Sequence, residues 1–128
     1  MKKIMIVLAM ILVLSGCGAV PQNDMAGYQQ ITAEEAKKMI DTLENEIILD
    51  VREQEEYDEK HILGAVLLPV GMIDEDTAEA VIPQKDTVVL VYCRSGNRSK
   101  TASETLVQLG YTQVYEFGGI NQWPYETE

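Results

Sequence analysis

The apolar run at residues 87–91 continues through Tyr92 and stops at a cysteine, Cys93. A run this apolar and this rich in valine predicts a strand, 87–92, buried on both faces, as strands of parallel sheets are. Arg94, Ser95, Gly96, Asn97 and Arg98 follow, then residues 99–109, where Ala102, Leu106, Val107 and Leu109 form an apolar stripe that Gly110 ends. That spacing predicts a helix. Parallel neighbours cannot be joined by a tight turn, so a central strand of this kind requires other strands connected through helices. The same stretch sets a chemical expectation. A helix N-terminus offers unpaired N–H groups and a partial positive charge. Gly96 lacks a Cβ and can take the angles that curl a loop into an anion-binding nest. A thiolate at Cys93 would be favoured there over the thiol, with Arg94 and Arg98 adding forked cationic donors.

The rest of the chain supplies the required alternation. Residues 28–31 predict a short edge strand. Thr32 and Glu35 fit a capping box, with Thr32 accepting from the third N–H and Glu35 reaching back to the cap N–H. Ala36, Met39, Ile40 and Leu43 place one apolar face on a helix over 33–45. Residues 46–51 predict a buried strand, 53–60 a short acidic helix, and 65–68 a strand closed by Pro69. Residues 71–82 predict a helix ended by Pro83, with Asp74, Glu75 and Asp76 on its solvated face. Residues 113–117 predict the last strand. Strand and helix alternate throughout, which argues a single α/β domain over 28–128 with a mostly parallel sheet and helices on both faces. Ligands of such sheets sit at the carboxyl ends of the strands, where Cys93 falls.

The N-terminus is set apart. Lys2 and Lys3 precede an unbroken apolar run at 4–14, too short for a comfortable membrane span of about 20 residues. Leu14, Ser15, Gly16 and Cys17 resemble a bacterial lipoprotein signal box. That resemblance implies removal of residues 1–16, lipidation of Cys17, a flexible tether over 17–27, and anchoring on the extracytoplasmic face of the cell membrane. Loss of Lys2 and Lys3 leaves 8 basic against 21 acidic residues, a net charge of −13. Such a balance gives no electrostatic case for binding nucleic acid or anionic lipid heads. Cys17 and Cys93 are the only cysteines, so with Cys17 lipidated Cys93 is the sole free thiol and cannot form an intramolecular disulfide. One histidine and one free thiol make no zinc site.

Cys93-Arg94-Ser95-Gly96-Asn97-Arg98 resembles the active-site loop of the rhodanese family of sulfurtransferases. Asp50-Val51-Arg52 with Glu56 and Tyr57, then His61-Ile62-Leu63-Gly64-Ala65 and Pro69, is similar to that family's N-terminal signature; Gly118-Gly119-Ile120 with Trp123 is similar to its C-terminal one. The resemblance implies a Cys93 thiolate that takes the outer sulfur of a small anion such as thiosulfate, releases sulfite, and holds the sulfur as a persulfide for a thiol or protein acceptor, a thioredoxin-like one included. It implies no cofactor or metal and a monomer. Four residues separate Cys93 from Arg98, one fewer than in cysteine phosphatases, which suits a single sulfur better than a phosphate. Arg94 and Arg98 are read as loop-organising or anion-contacting, Ser95 as a hydroxyl donor to the bound sulfur, and Gly96 and Asn97 as part of the anion loop. Asp50 is read as a structural salt bridge or turn bond, and Arg52 as either ion-paired or lining the site. His61 belongs to a structural turn, and Trp123 to packing. The rival reading is a sulfur carrier or partner-binding module without turnover.

Overall fold

Five strands lie in the order β1-β5-β4-β2-β3, every neighbouring pair parallel, in a computed structural model that describes residues 27–128. The expected signal segment, Cys17 and the expected tether up to residue 26 lie outside the described residues. In chain order the elements are β1 (Gln29–Gln30), α1 (Ala33–Thr42), β2 (Ile47–Asp50), α2 (Gln54–Glu59), β3 (Val66–Leu67), a 3-10 turn (Val70–Met72), α3 (Glu75–Val81), β4 (Val88–Cys93), α4 (Asn97–Gln108), β5 (Gln113–Gly119) and a second 3-10 turn (Ile120–Gln122). No helix among the described residues is long and apolar enough to cross a membrane.

The central strand explains the two-sided core. Side chains alternate across a strand, so Val89, Val91 and Cys93 of β4 join Leu49, Ala78, Ala102 and Leu106 on one face. Leu90 and Tyr92 join Ile48, Ala36, Ile62 and Phe117 on the other. Helices α3 and α4 therefore cover one face and α1 the other, as the alternation predicts.

Several boundaries differ from the sequence reading, each for a local reason. Helix α1 stops at Thr42 rather than 45: Leu43 is extended (ψ 151°), and Glu44 and Glu46 would place negative charge at the negative end of the helix dipole. Thr32 does cap it, accepting from the Glu35 N–H at 3.1 Å, but the Glu35 carboxylate receives the Thr32 hydroxyl rather than the cap N–H. The expected helix over 71–82 splits, because Asp74 is an N-cap that accepts from the Thr77 N–H at 2.8 Å while the Thr77 hydroxyl accepts from the Asp74 N–H at 2.9 Å. Helix α4 begins at Asn97, two residues early, because Gly96 turns the chain with φ 112° and the helix starts directly after it. Strand β5 runs on to Gly119, which pairs with Cys93 across an irregularity in β4.

Candidate active site

Cys93 is the last residue of β4, at the carboxyl edge of the sheet, and is 1% exposed. The chain must leave the strand and enter α4 within three residues. Gly96 makes this possible in its left-handed conformation, which L side chains rarely adopt. The turn points the Gly96 N–H at the Cys93 sulfur, 3.0 Å away, and the Ser99 hydroxyl lies 3.3 Å from the same atom. Burial pushes the thiol pKa up. The Ser99 hydroxyl and the backbone N–H groups of Ser99, Gly96 and Ser95 outweigh it, so the thiol ionises below its ordinary range. The arrangement can hold a sulfur anion without a separate base.

Backbone close approach fixes the loop. Asn121 donates its N–H to the Arg94 carbonyl at 3.2 Å, tying the loop to the turn after β5. Gly119 of β5 lies flat against the Arg94–Ser95 peptide, where a Cβ would overlap the Arg94 carbonyl and stand 2.6 Å from the Ser95 nitrogen.

The named side chains divide. Ser95 and Asn97 are exposed; it is the Ser95 backbone N–H, not its hydroxyl, that acts on the sulfur. Arg98 presents its fork to Glu56 of α2, with Nη1–Oε2 and Nη2–Oε1 at 2.7 and 2.9 Å. There it clamps α4 to α2, with its charge still bearing on the Cys93 sulfur, whose own hydrogen-bond partners are backbone N–H groups and the Ser99 hydroxyl. Arg94 is exposed and lines an open cleft of about 390 Å³ with Arg52, Glu56, Lys60 and Asn121. Arg52 is both ion-paired and cleft-lining: its backbone N–H, Nε and Nη2 donate to Asp50 at 3.0, 3.0 and 2.7 Å. Asp50 is fully buried and also accepts from the Tyr92 hydroxyl. His61 stacks on Tyr57 at 3.8 Å between ring centroids and holds the Tyr57 carbonyl; Trp123 packs on Phe117.

Sequence reasoning missed Ser99 as a sulfur contact and missed Glu116 altogether. Glu116 of β5 is 3% exposed and lies behind Ser99, its Oε1 accepting from the Ser99 hydroxyl at 2.6 Å and from the Gly118 N–H at 2.8 Å. The available signal was an acid between Val114 and Phe117, inside the stretch read as the last strand of a mostly parallel sheet, since strands of such sheets are buried on both faces.

The clamp has a pH signature. Bidentate hydrogen bonds from Arg98 hold the Glu56 carboxyl down at about 2, although burial opposes this. The folded value lies below the unfolded one, so the stabilisation is complete above about pH 4.5 and is lost as pH falls toward 2. Both side chains are partly exposed, so the pair contributes about 1 kcal/mol after screening. Urea midpoints of the wild type and Glu56→Gln should differ by a constant amount above pH 5 and converge below pH 4. A gap unchanged at pH 3 contradicts this.

The comparisons agree with the geometry. The family model described as "Rhodanese-like domain" matches residues 32–125. The thiosulfate sulfurtransferase PspE of Escherichia coli is 42% identical over 72 residues, 56% of this chain and 68% of that protein. The putative sulfur carrier protein YrkF of Bacillus subtilis is 35% identical over 107 residues, 83% of this chain but only 56% of that protein. The solved structure titled "rhodanese with anions from E. coli" superposes with a TM-score of 0.61 at 32% identity, covering 65% of this chain and 96% of that one. A buried cysteine in a ring of N–H groups at the end of a central parallel strand, with a family match across almost all of the described domain, places this chain in the rhodanese-like domain family.

Proposed function

We propose that this protein is a sulfurtransferase that carries sulfane sulfur on Cys93. The thiolate attacks the outer sulfur of thiosulfate or a persulfide donor, the donor's S–S bond breaks, sulfite or a thiolate leaves, and Cys93 becomes a persulfide. A thiol acceptor, or cyanide in vitro, then removes the outer sulfur. Two half-reactions through one covalent intermediate give ping-pong kinetics. The observation that carries this reading is the Gly96 N–H at 3.0 Å from a sulfur whose pKa is lowered by its own loop. Arg94 at the cleft is placed to meet the donor's sulfonate, with Lys60 and Arg52 beside it. The cleft also holds Glu56 and Glu59, so it suits a small anion met by one or two guanidinium groups rather than a polyanion.

The similarity to PspE supports turnover, and that to YrkF supports a carrier that hands sulfur to a protein without releasing it to a small acceptor. The lipoprotein-like N-terminus supports placement on the extracytoplasmic membrane surface, where a thiol protein, a thioredoxin-like one included, is the acceptor in this reading. The test uses the 18–128 fragment. Thiosulfate should add the mass of one sulfur at Cys93, and cyanide should then yield thiocyanate. Sulfur loading without thiocyanate selects the carrier, and no loading rejects both readings.

A further inference from the structure

An acid buried beside an anion site is an electrostatic conflict. Two negative charges held out of water and two hydrogen bonds apart raise each other's energy, so one of them keeps a proton. Here the path between them is short: Cys93 Sγ to Ser99 Oγ is 3.3 Å, and Ser99 Oγ to Glu116 Oε1 is 2.6 Å. Cys93, Ser99 and Glu116 are 1%, 0% and 3% exposed. The Ser99 oxygen also faces the carbonyls of Gly96 at 3.0 Å and Gly118 at 3.3 Å, so its single hydrogen chooses among acceptors and its lone pairs stay open to the thiol. Among the described residues, the groups that bear on the pair include the Gln30 amide, which donates to Glu116 Oε2 at 3.5 Å, and three titratable side chains. Arg98 of α4 feels the sulfur's charge, and Tyr28, ahead of β1, feels Glu116 together with Glu104 of α4.

We propose that Cys93 and Glu116 share one proton through Ser99, so that the thiolate and a neutral Glu116 carboxyl form together and the site never carries two negative charges. The step balances internally. The S–H bond of Cys93 breaks as its proton passes to Ser99 Oγ, and the Ser99 proton passes to Glu116 Oε1. This rests on the sulfur-transfer reading for its consequence: Cys93 thiol, Glu116 carboxylate and thiosulfate dianion become Cys93 persulfide anion, Glu116 carboxylic acid and sulfite dianion. One proton and a total charge of −3 stand on each side. Glu116 touches no substrate and is a positioning residue that acts through Ser99. The buried charge is single before and after transfer, so the cradle needs no rearrangement to accept the persulfide.

Two measurements on the full chain in detergent test this. The first is iodoacetamide alkylation of the Cys93 peptide against pH, which does not depend on sulfur transfer. Coupled sites titrate in two macroscopic steps, so the wild type should show a low-pH shoulder and then a second rise. Glu116→Gln should lose the shoulder, and its single midpoint should lie at least about one pH unit below the wild-type second step. A single-step profile in the wild type overturns the proposal, whatever the variants do. The second is the infrared difference spectrum on loading with thiosulfate. A carboxylic-acid C=O band should appear with the persulfide and be absent from Glu116→Gln. Loading without that band overturns the shared proton while leaving sulfur transfer intact; failure to load overturns the sulfur-transfer reading and leaves the alkylation profile to decide this one.

Discussion

Gly119→Ala is expected to lower the rate of sulfur loading by about 100-fold, the order of loss that a misplacement near 1 Å produces in a preorganised site. The reason is steric and local. Gly119 has φ −132°, which any residue adopts, so alanine meets no backbone strain there. Its Cβ would instead overlap the Arg94 carbonyl and crowd the Ser95 nitrogen at 2.6 Å. Both atoms are backbone and cannot rotate away, so the Arg94–Ser95 peptide must lift. That peptide carries the Ser95 N–H that acts on the sulfur and the carbonyl bonded to the Asn121 N–H. Lifting it opens the cradle and weakens the contribution that lowers the thiol pKa. Overpacking of this kind costs about 1–3 kcal/mol, so the domain should still fold at 25 °C. Gly64→Ala is the control: φ is 82°, nothing stands within 4 Å of the new Cβ, and the cost is about 1 kcal/mol of backbone strain with unchanged sulfur loading. Stopped-flow sulfite release and mass analysis measure both. Wild-type loading in Gly119→Ala would show that the loop does not set the rate.

The unequal legibility of this chain in its sequence has a physical pattern. Strand β4, the helix after it and the cysteine between them were readable because each is specified within a few residues, by apolar run, period and glycine. The parallel sheet followed from alternation alone. What surrounds the sulfur was not readable in the same way. The Ser99–Glu116 bond spans 17 positions and the Arg98–Glu56 clamp spans 42, and spacing along the chain carries no trace of either. Arg98 reads as loop-organising or anion-contacting when only its loop is in view, and its bidentate bond to Glu56 is visible only once α2 is folded against it. Gly119 needed the same knowledge. A glycine after a strand reads as a stop, whereas here it is a flat place for another peptide to lie. Asp74 was readable as exposed but not as a cap, because the break that makes it one depends on Ile73 turning extended after the 3-10 turn.

Asp50→Ala is expected to be the most destabilising single change outside the apolar core, lowering stability by about 3–5 kcal/mol, the cost of removing one partner from a buried ion pair. Asp50 is fully buried, Arg52 is 4% exposed, and the Arg52 side chain donates to the carboxylate through Nε and Nη2. Truncation leaves the guanidinium with the Lys60 carbonyl at 2.6 Å and the Tyr92 ring, whose centroid is 5.7 Å away, in place of a carboxylate. It also removes the acceptor of the Tyr92 hydroxyl, which itself receives the Ile62 N–H at 3.0 Å. The network thus joins β2, the central strand one residue before Cys93, and the turn that leads into β3. Asp50→Asn keeps one acceptor oxygen and should lose less than Asp50→Ala, although the Arg52 backbone N–H and the Tyr92 hydroxyl use different oxygens of Asp50 and only one of them keeps its acceptor. The double change Asp50→Leu with Arg52→Met removes the charge together with its partner and should be more stable than Asp50→Ala, because no uncompensated charge stays buried. Urea unfolding of the three variants gives the order directly. If Asp50→Ala falls within about 1 kcal/mol of the wild type, the pair is solvated like a surface salt bridge and does not anchor the strand that carries the cysteine.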